Sequence, residues 1–119
     1  MTDCLRKILL EQARAGSLAT YRQLAERLSL RPPGTIRRVA EALEILMTED
    51  ASAGRPLVAA FCVSRLGEGL PARGFFLKAR DLGLFSGDPN GPEAAAFHAT
   101  ELRRARGYYG GSDGEVARS

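Results

Sequence analysis

The chain has 119 residues, of which 45% are hydrophobic and 26% are charged, and its formal net charge is +3 with a pI near 9.2. This length allows one hydrophobic core but not two comfortable domains, and no apolar run is long enough to span a bilayer. The mild basic excess permits binding to nucleic acid but does not demand it.

The two cysteines and the single histidine offer little for metal binding or catalysis. Cys4 and Cys62 lie far apart, and neither has a metal-ligand neighbour in the sequence. His98 is expected at the surface or its boundary, because no residue placed by the sequence partners it in catalysis. The N-terminus lacks the pattern of a signal peptide. We therefore expect a cytoplasmic protein with reduced thiols and without a cofactor or metal.

The first predicted element is a helix that Thr2 or Asp3 caps and that runs to about Arg14. Gly16-Ser17 ends it, as glycine commonly does at a helix C-terminus. Its inner stripe is predicted to consist of Leu5, Ile8, Leu9 and Gln12-Ala13.

The stretch Thr20–Leu28 is predicted to be the first helix of a helix-turn-helix. Thr20 and Gln23 have the spacing of a capping box, in which each side chain bonds the backbone amide of the other. Ser29–Gly34 is predicted to be the turn, because Pro32-Pro33 cannot continue a helix. The apolar positions of the first helix recur at three- and four-residue intervals and are Tyr21, Leu24, Ala25 and Leu28.

Thr35 is predicted to cap the second, longer helix, which extends to about Asp50. Its predicted inner face consists of Ile36, Val39, Ala40, Leu43 and Leu46 or Met47. Its predicted outer face consists of Arg37, Arg38, Glu41 and Glu44. Two arginines therefore lie where a recognition helix meets phosphates and base edges. The alternative is an ordinary solvated face on a helical hairpin.

A continuous apolar run, Leu57–Ser64, is predicted to be a buried strand with Cys62 in the core. The glycine-rich stretch at 65–74 follows it and has three interpretations. As a wing, it places Arg65 and Arg73 along a nucleic acid backbone. As a phosphate-binding loop, it would hold a nucleotide at the start of the following helix. Its glycine spacing, however, fits neither the dinucleotide fingerprint nor the P-loop. The third interpretation is a flexible connection whose glycines permit tight turns.

Two further helices are predicted in the C-terminal third. Phe75–Leu82 is the first, Ser86–Gly91 forms a turn-rich loop, and Pro92 occupies the first turn of a last helix from Glu93 to about Tyr109. The apolar stripe of the last helix is predicted to be Ala94, Phe97, Leu102, Ala105 and Tyr108. Residues 110–119 have too little apolar content to fold and are predicted to be a disordered tail.

Three short motifs carry a family resemblance: Thr20-Tyr21, Leu24-Ala25 and Ile36-Arg37-Arg38-Val39. With them, the span from Ser17 to about Leu82 resembles the DNA-binding half of the alkylguanine-DNA alkyltransferases and the alkyltransferase-like proteins. The resemblance implies that the second helix lies in the minor groove of DNA. It also implies that Tyr21 presses on a phosphate while Arg37 enters the base stack in place of an extruded base.

The reactive signature of that family, Pro-Cys-His-Arg, is missing, and Ala60–Arg65 occupies its place. The reactive thiolate depends on the neighbouring histidine, so alkyl transfer by Cys62 is not expected. The chain is also similar to a group of uncharacterised small bacterial proteins that share Gly54-Arg55-Pro56 and the Gly-Leu-Pro-x-x-Gly-Phe-Phe motif of Gly69–Phe76. That likeness implies no activity.

These patterns predict an α+β, mainly helical fold: a winged helix-turn-helix with a short buried strand and a C-terminal helix, in one domain over residues 1–109. The predicted function is non-catalytic binding of double-stranded DNA. The residues predicted to bind DNA are Tyr21, Arg22, Thr35, Arg37, Arg38, Arg65 and Arg73. The alternative is a protein-interaction or homodimerisation module, in which an apolar patch at Phe75-Phe76 or Tyr108-Tyr109 docks a partner. No membrane partner is expected.

Overall fold

The computed structural model describes residues 1–64 and 69–110, so most of the predicted tail at 110–119 lies outside the described residues. Within them, five α-helices and a two-stranded sheet form a compact, mostly helical α+β fold. None of these helices combines the length and apolar character needed to cross a membrane. The elements are α1 (Thr2–Ala15), β1 (Ala19–Thr20), α2 (Tyr21–Arg27), α3 (Thr35–Ser52), a 3₁₀ helix (Val58–Phe61), β2 (Cys62–Val63), α4 (Arg73–Asp81) and α5 (Pro92–Tyr109).

Helix α3 is central and packs against α1, α2, α4 and the 3₁₀ helix. Most of its predicted inner face is confirmed, since Val39, Leu43, Leu46 and Met47 are buried in the shared apolar core. Ile36 is the exception, because 46% of its surface is exposed. The core therefore begins at the second turn of α3, and the first turn extends past it.

The predicted start of α2 is confirmed in atomic detail. The Gln23 backbone N–H donates to Thr20 Oγ1 (3.1 Å), and the Thr20 N–H donates to Gln23 Oε1 (2.9 Å). This reciprocal pair satisfies two amides that a helix start would otherwise leave without acceptors. It also fixes the direction in which α2 leaves β1.

The predicted strand over Leu57–Ser64 is wrong for its first half, although the predicted burial is confirmed. Val58–Phe61 forms the 3₁₀ helix, and only Cys62–Val63 is extended. β2 pairs in parallel with β1, with Cys62 opposite Ala19. An apolar run buried on all sides has no period that distinguishes strand from helix, which explains the error.

Buried polar side chains replace the missing strand ladder around the 3₁₀ helix. The Leu57 N–H donates to Glu101 Oε2 (2.7 Å), and the Val58 N–H donates to Asp50 Oδ2 (3.0 Å). Both carboxylates are buried, so these amides have fixed partners and need no neighbouring strand. Side chains from α3 and α5 thus hold the segment that leads into β2.

The predicted wing is only partly within the described residues, because Arg65 falls in the undescribed stretch at 65–68. The Ser64 N–H donates to the Leu70 carbonyl (2.7 Å), which brings the two ends of the loop together. Arg73 is the first residue of α4, so this helix begins before the predicted Phe75. Within the described residues β2 pairs only with β1, and a winged helix is therefore not established.

The predicted inner face of α5 is confirmed for Ala94 and Ala105, which are buried, and Phe97 and Leu102 pack partly buried against the core, but two other residues are placed differently. His98, predicted near the surface, is 4% exposed, and Tyr108, predicted to face inward, is 53% exposed. Tyr109 faces inward instead, and its hydroxyl donates to the Pro56 carbonyl (2.7 Å). Polar side chains of α5 form hydrogen bonds with backbone groups of residues 56–60. These bonds determine which side of α5 is buried more strongly than the spacing of its apolar residues does. The buried residues of α5 are Ala94, His98, Glu101 and Ala105.

The buried imidazole of His98 is expected to make stability depend on pH. Its Nε2 lies 3.0 Å from the Ala60 carbonyl oxygen, which can only accept, so Nε2 carries the proton. Burial lowers the pKa of His98 below its ordinary value of 6.5, and the charge of Arg106 acts in the same direction. The unfolded chain then binds a proton near pH 6.5 that the folded protein binds only at lower pH.

We therefore expect the free energy of unfolding to fall as the pH decreases through about 6.5, until the lower folded-state pKa of His98 is passed. Urea unfolding of the wild type and of a His98→Gln variant over about pH 5–8 measures this dependence. Glutamine retains a donor for Ala60 but does not titrate. Parallel pH profiles of the two proteins would rule out His98 as the cause.

Candidate nucleic-acid interface

The turn between α2 and α3 ends in an unusual helix start. Gly34 is the N-cap of α3, with φ 73° in the left-handed region, and no side chain caps the helix. Thr35, predicted to be the cap, is instead the first helical residue. Among residues 1–64 and 69–110, no side chain therefore accepts a hydrogen bond from the first-turn amides of α3. Such amides, with the helix dipole, favour negatively charged groups.

An open groove of about 630 Å³ lies between α2, the first turns of α3 and the segment before α4. Two of the described lining residues are charged, and both are arginines. The other described lining residues are uncharged. The lining residues are Thr20, Tyr21, Arg22, Ile36, Arg37, Ala40, Ser64 and Ala72. Three of the predicted DNA-binding residues are thus brought together around one groove.

Tyr21 lines the groove but is largely buried, with 8% of its surface exposed. Its hydroxyl oxygen accepts a hydrogen bond from the Ala72 backbone N–H (3.1 Å). Burial raises the pKa of Tyr21 well above its ordinary value, so the hydroxyl stays neutral. Tyr21 therefore joins α2 to the start of α4 and forms part of the groove wall. This placement differs from the predicted one, in which the side chain projects toward a phosphate.

Arg22 and Arg37 are the accessible cations of the groove. The Arg22 side chain is 69% exposed, and its Nε lies 3.9 Å from Glu26, which is a weak surface ion pair. Arg37 is exposed on the first turn of α3 and forms no ion pair within the part of the chain that the structure describes. Both guanidinium groups are therefore available to an anionic ligand.

Arg38 has a different environment from Arg37, although the sequence assigned both to DNA. Its Nη2 donates to the Arg31 carbonyl in the turn, and its Nε is buried without a hydrogen-bond partner among the described residues. Arg38 thus holds the turn against α3. Arg73 is exposed at the start of α4, directly after the groove residue Ala72.

Sequence reasoning missed Ile36 as a surface residue. Helical spacing places it on the same face as Val39 and Leu43, which predicts burial. The available signal was its position: Ile36 follows the Pro32-Pro33-Gly34 turn directly, at the tip of a helix whose core contacts begin one turn later. Arg31, exposed in that turn, is a second cation near the tip that the sequence did not single out.

Cys62 offers no reactive thiolate to the groove. It is fully buried, and burial raises its pKa far above the ordinary range of a thiol. Cys4 is free and exposed. We expect a disulfide reagent such as dithiobis-nitrobenzoate to modify Cys4 rapidly in the native protein and Cys62 only after unfolding. A Cys4→Ser variant isolates Cys62, and a fast native reaction of that variant would contradict the buried placement.

The fold and site define a mainly helical α+β protein with a cationic, apolar-floored groove at the tip of its central helix. No family model matches the chain, and no curated protein or solved structure was found to be significantly similar to it. A fold alone does not assign an activity, so the function is inferred from the groove itself.

Proposed function

We propose that this protein binds double-stranded DNA without catalysis, with the first turn of α3 against the nucleic acid. The observation that carries the proposal is Arg37, an exposed cation at the tip of α3, together with Arg22, which lines the same groove from α2. Cations without close carboxylate partners bind phosphates by releasing counterions.

The electrostatics of the surrounding backbone support the same surface. No side chain in the described part of the protein caps the start of α3, so its amides and dipole present partial positive charge beside Arg37. Arg31 in the turn and Arg73 at the start of α4 add two exposed cations. A net charge of +3 favours the approach of a polyanion.

The proposal includes the finer fold prediction of a winged helix-turn-helix. In it, α2 and α3 form the helix-turn-helix, and the stretch between β2 and α4 is a wing that lays Arg65 along the DNA backbone, with Arg73 contributing from the first residue of α4. The alkyltransferase resemblance gives Tyr21 a phosphate contact. The bond from the Ala72 N–H to the Tyr21 hydroxyl favours a supporting role for Tyr21 and leaves the DNA contact to Arg37.

The absence of catalysis is part of the proposal and rests on Cys62. A nucleophilic thiol needs a low pKa and access to its substrate, and Cys62 has neither. We also propose a cytoplasmic location, which free Cys4 and Cys62 support because reduced thiols are typical there.

Fluorescence anisotropy of a labelled random duplex, titrated with the protein at about 50 and 200 mM salt, tests the proposal. We expect binding at low salt that weakens with a log–log slope near −0.9 for each phosphate contacted. A single strand of the same length is the comparison ligand. Absence of binding at low salt, or binding with no salt dependence, would contradict the proposal.

The alternative function is a protein-interaction or homodimerisation module. Phe75 and Phe76, one of the two patches predicted for it, are buried, so that patch is not available. Tyr108 remains 53% exposed, and Ile45 is 51% exposed on α3. A molar mass that rises with concentration and falls back in a Tyr108→Ser variant, without any effect of DNA, would favour this alternative.

A further inference from the structure

Ile36 exposes an apolar side chain at the start of α3. It is the second residue of α3 and is 46% exposed, whereas Val39, one turn later, is fully buried. Exposing an apolar side chain to water is unfavourable compared with burying it. Ile36 also lines the same groove as Arg22, Arg37 and Ala40.

The charges along α3 limit how a polyanion can meet the helix. Arg37 is exposed on the first turn, but Glu41 is exposed one turn later and Glu44 is half-buried one turn beyond that. A duplex lying along the length of α3 would bring its phosphates against these carboxylates. Contact through the first turn alone avoids these carboxylates and includes the exposed side chain of Ile36.

We propose that Ile36 is a wedge that enters between adjacent base pairs and kinks the duplex, while Arg22 and Arg37 hold the flanking phosphates. This inference rests on the proposed function. Proteins that bend DNA insert isoleucine, leucine or phenylalanine into a base step in this way, and they recover the unstacking cost through additional contacts to the bent duplex. The apolar tip flanked by two arginines has the composition that this requires.

The wedge also defines the class of DNA that binds best. Pyrimidine–purine steps unstack most easily, and a mismatched pair unstacks more easily still. Wild-type protein is therefore expected to bind a duplex with a central mismatch about tenfold more tightly than a fully paired duplex. Replacing Ile36 with alanine is expected to remove this preference and leave the salt dependence, which the arginines set, unchanged.

A duplex carrying 2-aminopurine at the central step tests the wedge, because the fluorescence of this adenine analogue rises when it unstacks. Saturating wild-type protein is expected to raise the signal, and Ile36→Ala is expected to abolish the rise while anisotropy still reports binding. Ile36→Leu keeps a wedge and should restore the rise. Ile45→Ala is the matched control, since Ile45 is as exposed on the same helix but lies outside the groove.

The variants also separate Ile36 from its neighbour. Arg37→Ala is expected to need more protein for saturation but to reach the wild-type fluorescence, because Ile36 is still present. If the fluorescence rise depends on Arg37 and not on Ile36, the arginine enters the base stack and the proposal that Ile36 is the wedge is wrong. DNA binding by wild type without any fluorescence rise also overturns the wedge and leaves the proposed function standing. Absence of DNA binding altogether overturns both.

Discussion

Replacing Asp50 with alanine is expected to lower the free energy of unfolding by about 3–5 kcal/mol. Asp50 has no exposed surface. Its Oδ1 forms ion pairs with Arg6 Nη1 (2.8 Å) and Arg55 Nη2 (3.0 Å) and accepts a hydrogen bond from Arg55 Nε (3.1 Å), and its Oδ2 accepts from the Val58 N–H (3.0 Å). Truncation removes the buried carboxylate from both guanidinium groups, leaving Arg6 with only the exposed Glu49 among the described residues, and it leaves a buried amide without its acceptor. Since single domains are stable by only about 5–15 kcal/mol, the variant should be close to unfolding.

Two further variants test the physical reason for this loss. Asp50→Asn retains an acceptor for the Val58 N–H but removes the charge, so its loss should be intermediate. Glu49→Ala removes a neighbouring carboxylate whose side chain is 51% exposed and whose one ion-pair partner in the described part of the chain is Arg6. The loss of stability in this variant should stay below about 1 kcal/mol. Urea unfolding followed by far-ultraviolet circular dichroism measures all three. Similar losses for Asp50→Ala and Glu49→Ala would show that the buried network contributes little.

The Arg37→Glu substitution is expected to weaken binding to duplex DNA by about 1–3 kcal/mol, or roughly five- to 150-fold at low salt. The reversal removes a cation from the tip of α3 and places a carboxylate against the phosphates. Removing one phosphate contact should also reduce the salt slope by about one. Arg37 is exposed, so the free energy of unfolding should change by no more than about 0.5 kcal/mol.

Arg103→Glu is the matched control for this prediction, because Arg103 is exposed on α5 and does not line the groove. It changes the net charge by the same amount and should weaken binding far less. Arg38 is unsuitable as a control, since its guanidinium holds the Arg31 carbonyl in the turn and its loss would alter the fold. Equal effects of Arg37→Glu and Arg103→Glu on affinity would indicate a general charge effect without a defined interface.

Local signals in the sequence predicted the helical framework well. The capping box of Thr20 and Gln23 and the break at Pro32-Pro33 act within a few residues, so the bounds of α2 and the start of α3 followed directly. The exposure of Arg37 also followed from helical periodicity, because the core face of α3 is strongly apolar. These features depend on neighbours in the chain and need no tertiary information.

The sequence could not reveal contacts between distant residues. Asp50 and Glu101 hold the amides of the 3₁₀ helix, and His98 donates to Ala60 from α5. No local pattern distinguishes these buried polar groups from solvated ones, which is why the strand and His98 were wrongly placed. Ile36 was misplaced for the opposite reason, since periodicity continues to the end of α3 whereas the core stops one turn earlier.

The most direct measurement of the central claim is a ¹H–¹⁵N NMR titration of the protein with a short duplex. A chain of 12.8 kDa is suited to this method, which reports binding and its location together. We predict that shifts and line broadening concentrate at Arg22 and at 35–38, with the amides of α5 unaffected. An unchanged spectrum, or changes centred on Tyr108, would contradict binding of DNA by the tip of α3.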